Sequence, residues 1–189
     1  MAYLNRDFFA RDTVIVAQDL IGTTLLVNQC AGRIVETEAY TTDAASHAAK
    51  RTKRSALMYE TYGYLYVYFT YGMYYCLNFT TEREGIGAVL IRAVEPISGV
   101  EEMKRRRGID EVKKLASGPG RLTQALGIDL SFNGKPLGRE IKLRERANIP
   151  QISASRRIGI TKATELVWRF FETGNPFVSP SKLNKSTQL

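Results

Sequence analysis

The stretch Gly32 to Tyr40 reads GRIVETEAY, and Tyr62 to Asn78 reads YGYLYVYFTYGMYYCLN. These two segments decide the fold. Residues 33–40 alternate as a strand does, and successive strand side chains point to opposite faces. Ile34, Glu36, Glu38 and Tyr40 are therefore expected on one face, with Val35, Thr37 and Ala39 on the other. Charged residues are depleted from sheet interiors, so two carboxylates beside a ring require a reason. The bland reason is a solvated strand face. The second segment contains Tyr62, Tyr64, Tyr66, Tyr68, Tyr71, Tyr74 and Tyr75, seven of the chain's 10 tyrosines. The first four recur at period two, which predicts a strand over 62–69. Tyr71-Gly72 breaks the pattern before a second strand over 73–80. An acid-bearing strand beside a ribbon of rings suggests a site that grips a flat group and performs acid–base chemistry on it.

A chain of 189 residues is most simply one domain. A domain over 1–180 is expected, with a tail at 181–189 too polar to order. The net charge of +8 favours a polyanionic partner, nucleic acid before a membrane surface. No apolar run approaches a membrane span, and residues 1–12 lack a signal-peptide core. The two cysteines, Cys30 and Cys76, form no CxxC, which fits a reducing cytoplasm. One histidine, His47, cannot build a multi-histidine metal centre. Neither GxGxxG nor a Walker sequence is present, so no nucleotide cofactor is expected.

Working outward, Asp12 is a plausible N-cap for a helix over 13–20. Residues 23–28 and 88–93 read as strands, and 41–57 as a long binding loop. Ser98-Gly-Val-Glu101 has the form of a capping box opening a helix that Gly108 stops. Ser117 is the expected N-cap of another helix, with Pro119 in its first turn and Gly127 at its end. Its amino terminus, Ser117 to Arg121, is a plausible phosphate contact. Residues 141–143 form a short strand, 151–160 a basic loop, and 166–171 returns to apolar structure. Closely spaced strand pairs predict α+β: a curved, mainly antiparallel sheet flanked by helices.

The motifs IVETEAY (34–40), His47, LYVYFTYGMYYCLN (65–78), VLIRAVEP (89–96), SGPGRL (117–122) and RIGI (157–160) together resemble the alkyladenine (3-methyladenine) DNA glycosylase family of mammalian type. The likeness spans about 10–178 and departs from the family at 160–168 and in the 41–54 loop. It implies a monofunctional enzyme, without metal or cofactor, that flips damaged purines from duplex DNA and hydrolyses their N-glycosidic bond. It implies Glu38 as general base, with Arg92 and the Ile158 carbonyl helping to hold the water. It implies Tyr40, His47 and Tyr68 as walls around the base, Asn78 as discriminator against guanine, and Tyr71 as the ring inserted into the duplex. Glu36 is expected to be structural, and Tyr62, Tyr64 and Tyr66 to be sheet packing. Arg92 could pair with Glu38 or Glu95. Lys104 to Arg107 reads as a solvated helix face. Arg54, Arg121, Arg156 and Arg157, with Ser117 and Gly118, are the candidate contacts to the DNA backbone. The expected partner is double-stranded DNA with damaged purines, and the expected state a cytoplasmic, nucleoid-associated monomer. A non-catalytic nucleic-acid-binding module with a tyrosine stacking platform is the rival reading, and an RNA-directed enzyme a third.

Overall fold

The computed structural model describes residues 2–70 and 72–185. In chain order it contains helix α1 (Thr13–Asp19), strands β1 (Thr24–Val27) and β2 (Cys30–Tyr40), helix α2 (Ala56–Glu60), strands β3 (Leu65–Thr70), β4 (Tyr74–Thr81) and β5 (Gly87–Ser98), helices α3 (Val100–Arg107), α4 (Val112–Leu115) and α5 (Pro119–Leu126), and strands β6 (Ile141–Arg144), β7 (Ile152–Ser155) and β8 (Arg169–Glu172). The sheet runs β3-β4-β5-β2-β1-β6, with β8 joining β2 and β7 joining β8, and the paired strands are antiparallel. This is the expected α+β class. Among the described residues no helix is long and apolar enough to cross a membrane.

Strand β2 organises the molecule because it changes partners along its length. Residues 30–33 pair with β1, residues 36–38 pair with β8, and β5 runs along the other side. The register between β2 and β5 is irregular around Ile34/Glu36 and Glu36/Thr37. Such an irregularity re-aims side chains. Ile34, Ala39, Val89, Ile91 and Val94 enter the main core. Val35 and Ala93 enter a separate cluster with Phe171 and Val178. Strict alternation put Ile34 on the Glu38 face and Val35 opposite; the bulge exchanges them. The same step on β5 turns Arg92 away from the main core, toward Glu36 and Glu38.

Local chemistry sets most helix ends. Asp12 accepts from the Val14 and Ile15 amides, and Gly108 and Gly127 close α3 and α5 at positive φ. The two serine caps are corrected. Glycines, not serines, hold both N-cap positions: Gly99 before α3 and Gly118 before α5. Gly99 has φ 71, and a Cβ there would lie 2.6 Å from the Gln29 carbonyl, so the close crossing of β2 selects glycine. The 41–57 segment is not wholly loop, since a 3-10 turn spans His47–Ala49 and α2 begins at Ala56. Nor is 151–160, where β7 lies. Within the described part of the expected tail, Lys182–Lys185 forms a 3-10 turn, and Asn184 accepts from Arg169.

Candidate active site

Both carboxylates of β2 are fully buried, so the solvated-face reading fails for each. Glu36 Oε1 accepts from Arg92 Nε at 3.0 Å, Arg169 Nε at 2.6 Å and Ser179 Oγ at 2.8 Å, and its Oε2 accepts from the Ser179 amide at 2.8 Å. Glu38 Oε2 accepts from Tyr40 Oη at 2.8 Å and Arg92 Nη1 at 3.2 Å, while its Oε1 accepts from the Ile158 amide at 2.7 Å. One guanidinium, that of Arg92, therefore spans both acids. Glu95 is not its partner and is taken instead by Arg33.

The two acids are displaced in opposite directions. Burial opposes ionisation of Glu36, but Arg92, Arg169 and Ser179 outweigh it and hold the carboxyl below its usual range. Burial pushes Glu38 up, against the pull of Arg92, the Ile158 amide and Tyr40. Two carboxylates on one strand with divergent proton affinities are the pattern of one structural counterion and one poised acid–base group. Tyr40 is raised by burial and by the neighbouring Glu38 anion, so its hydroxyl remains a donor.

Above the pair lies a cavity of about 220 Å³ lined by Tyr40, His47, Tyr66, Tyr68, Asn78 and Arg92 among others, with Ile158 to Ile160 on one rim. That is smaller than the roughly 300–1,000 Å³ of drug-sized sites and suits a single nucleobase. Glu38 does not line it; three of its lining residues, Tyr40, Arg92 and Ile158, cover the carboxylate. Ile158 meets Glu38 through its N–H, a contact separate from the one between its carbonyl and water that the resemblance implies. The Asn78 amide nitrogen donates to the Tyr66 and Cys76 carbonyls, which leaves Oδ1 as its acceptor for a ligand. His47 Nδ1 lies 2.8 Å from Tyr66 Oη, and the His47 ring meets Tyr68 edge-on at 4.6 Å. Burial, then the charge of Arg54, lowers the His47 pKa, so the ring is neutral near pH 7.

Tyr66 packs with Ala48, Met58 and Ala88 as expected and also lines the cavity; period two fixes which side chains share a face, not which face holds the ligand. Tyr62 and Tyr64 precede β3, so the strand expected over 62–69 begins only at Leu65, and the Arg6 guanidinium lies 5.1 and 4.7 Å from their rings. Arg157 is also corrected. Its side chain is fully buried, paired with Asp43 at 2.7 Å and set 4.6 Å from the Tyr40 ring, so it fastens the 41–57 loop instead of meeting a phosphate. Arg54 and Arg121 are exposed. Arg54 lies 4.6 Å from the Tyr68 ring, at the cavity rim. Ser117 is buried, and its Oγ accepts from Arg121 at 3.3 Å. Ser117, Gly118 and Arg121 line a second cavity of about 400 Å³, which shares Thr70, Cys76, Arg92 and Pro119 with the first. Tyr71 lies outside the described residues; Phe69 and Met73 beside it are 46% and 64% exposed. Arg169 and Ser179, both contacts of Glu36, carried no sequence signal.

The family model described as methylpurine-DNA glycosylase matches residues 7–176. A Rhodopseudomonas palustris (strain HaA2) protein named "Putative 3-methyladenine DNA glycosylase" is 49% identical over 180 residues, covering 93% of this chain and 90% of its own. A Chlorobium phaeobacteroides (strain BS1) protein of the same name is 46% identical, covering 98% of this chain and 100% of its own. One from Chlorobaculum tepidum is 43% identical over 96% and 93%. With a buried acid pair beneath a base-sized aromatic cavity, and with family likeness along nearly its whole length, the chain belongs to the methylpurine-DNA glycosylase family.

Proposed function

We infer that this chain excises alkylated or deaminated purines from duplex DNA, with Glu38 as the group that activates water. The observation that carries this reading is Glu38 itself: a buried carboxylate, raised in pKa, whose donors Tyr40 and Arg92 also line the base-sized cavity. A stacked base cannot be cut, so the nucleotide must leave the helix at a cost of roughly a few kcal/mol. Stacking on rings returns about 1–3 kcal/mol per base. Tyr40, Tyr68 and His47 supply those rings, and Tyr71, between β3 and β4 in sequence, would fill the vacated stack. Asn78 Oδ1 repels an acceptor and so would sense the edge of the purine. With the base in the smaller cavity, the adjoining one offers its sugar–phosphate a place beside α5 and Arg121.

Glycosidic cleavage passes through an oxocarbenium-like state. The Glu38 anion stabilises that positive charge and accepts a proton from the attacking water. The electron pair of the broken bond leaves on the purine, so that a cationic alkylated base departs neutral and a neutral base departs as an anion that then takes up a proton. The carboxylate is covered in the free protein, so substrate entry must part the Tyr40 or Ile158 contact to admit water. Arg92 stays with the anion and keeps it oriented. Hydrolysis by water forms no Schiff base, so no strand nicking accompanies base loss.

The test is a panel of duplexes, each with one altered purine, incubated with the protein and then heated in alkali to reveal abasic sites. Cleavage confined to alkali-treated samples supports the assignment. Absence of abasic sites throughout the panel, with tighter binding to single strands than to duplex, would instead establish a binding module.

A further inference from the structure

We propose that Ser179 and Asn184, on the carboxy-terminal segment, are positioning residues that set Arg92 against Glu38 by fixing Glu36. The proposal rests on Glu38 being the acid–base group. Ser179 gives Glu36 two hydrogen bonds, one from its hydroxyl and one from its backbone amide. Arg169, fully buried, gives Glu36 a third and donates its Nη2 to Asn184 Oδ1 at 2.7 Å. The Asn184 amide nitrogen returns to the Ser179 carbonyl at 3.0 Å. The segment thus closes on itself with Arg169 and Glu36 inside the loop. Val178 packs with Val35 and Phe171, which ties it to β2 and β8 at the position of the acids.

Glu36 holds Arg92 by Nε, and the rest of the same guanidinium reaches Glu38 by Nη1. A planar guanidinium fixed at one edge presents its other donors in a set direction. Were Glu36 free to turn, Arg92 would lose that direction, and Glu38 would lose part of the positive charge that favours its anion. The charged and titratable groups that bear on Glu38 are Arg92 from β5, Glu36 and Tyr40 from β2, and Cys76 from β4, with Arg169 from β8 acting through Glu36. None of these is removed by a change at Ser179, so a shifted pH response would report their arrangement.

The experiment measures single-turnover base release against pH, with enzyme in excess, on the purine duplex the wild-type chain cleaves fastest. Activity requires ionised Glu38, so weaker support of its anion moves the acidic limb to higher pH. Ser179→Ala should slow release about tenfold near neutrality, as misplacement of a catalytic group does, and raise the acidic limb by about half a unit. Ser179→Thr, which keeps the hydroxyl, should restore both, and Asn184→Ala should move the limb the same way. Binding of Asn184→Ala to the lesion duplex should be unchanged, since Asn184 lines neither cavity. A uniform loss of rate with an unmoved limb overturns the proposal, as does a wild-type profile. If Ser179→Ala does not fold, Asn184→Ala decides, and an unmoved limb there refutes the idea. Glu38→Gln separates the two readings: full activity in that variant sinks the assignment of Glu38, whereas an inactive Glu38→Gln beside a wild-type Ser179→Ala profile sinks the positioning role alone.

Discussion

Replacing Glu36 and Glu38 separately by Gln should move stability in opposite senses. Glu36 has a depressed pKa and four donors, two from arginines. Its contribution to stability is present above the usual carboxylate pKa and is lost as pH falls through the folded value. Removing one partner of a buried pair destabilises by about 3–5 kcal/mol. A chain of this size loses about 2–4 °C per kcal/mol, so Glu36→Gln should melt about 6–20 °C below wild type at neutral pH. Glu38 has the opposite sign. Its raised pKa means that the folded state binds the proton more tightly than the unfolded chain does. Its ionised form therefore weakens the fold above the folded pKa, and the effect vanishes as pH falls toward the ordinary carboxyl value of 4.5. An uncharged amide at this position can still accept from the Ile158 N–H. Glu38→Gln should consequently melt at or above the wild-type temperature near neutrality, with the difference shrinking in acid. Its base release should fall about 10²–10⁴-fold, the usual contribution of a positioned acid or base, or about 3–5 kcal/mol of barrier. The measurements are thermal melts from pH 4.5 to neutrality and base release on a lesion duplex. Equal, large losses of melting temperature in both variants would refute the reasoning, because Glu38 would then be one more member of a structural ion cluster.

Three further expectations follow from the charges and the backbone. Arg54→Ala and Arg121→Ala should each lower the slope of log binding constant against log salt by about one, since both are exposed beside the two cavities; Arg157→Ala should leave the slope intact and lower the melting temperature, because it strands Asp43. His47 has a depressed pKa, so its share of stability is present at neutral pH and lost as pH falls from 6.5 through the folded value; His47→Phe should flatten melting temperature against pH in that window, and an unchanged slope would place the titration elsewhere. Gly99→Ala meets the Gln29 carbonyl at 2.6 Å at positive φ and should destabilise by roughly 1–3 kcal/mol, read by chemical denaturation.

What was legible in the sequence was set by neighbours along the chain. Asp12, Gly108 and Gly127 announce helix ends because a cap is a local hydrogen bond or a local φ. The hairpin of β3 and β4 is visible because alternation and the glycine at 72, with φ 67, lie within one stretch. Ser98 and Ser117 misled because their sequence context matches a cap while close approach of another strand, or a pairing to Ala93, decides otherwise. The bulge of β2 was hidden for a deeper reason. It exists where β2 leaves β1 for β8, and β8 lies more than 130 residues later in sequence. Nothing near Arg169 in sequence marks it before the fold brings Glu36 2.6 Å from it. The same distance in sequence separates what Glu36 and Glu38 do. On the strand they are equivalent, two residues apart and facing alike; β8 and the segment from Ser179 give one of them a second arginine and two further donors, and leave the other to Arg92, a tyrosine and one amide. The asymmetry that makes Glu38 available for chemistry is therefore supplied by elements remote from it in sequence. It follows that a change at Asn184, which lines neither cavity, should register in the pH dependence of base release before it registers in DNA binding.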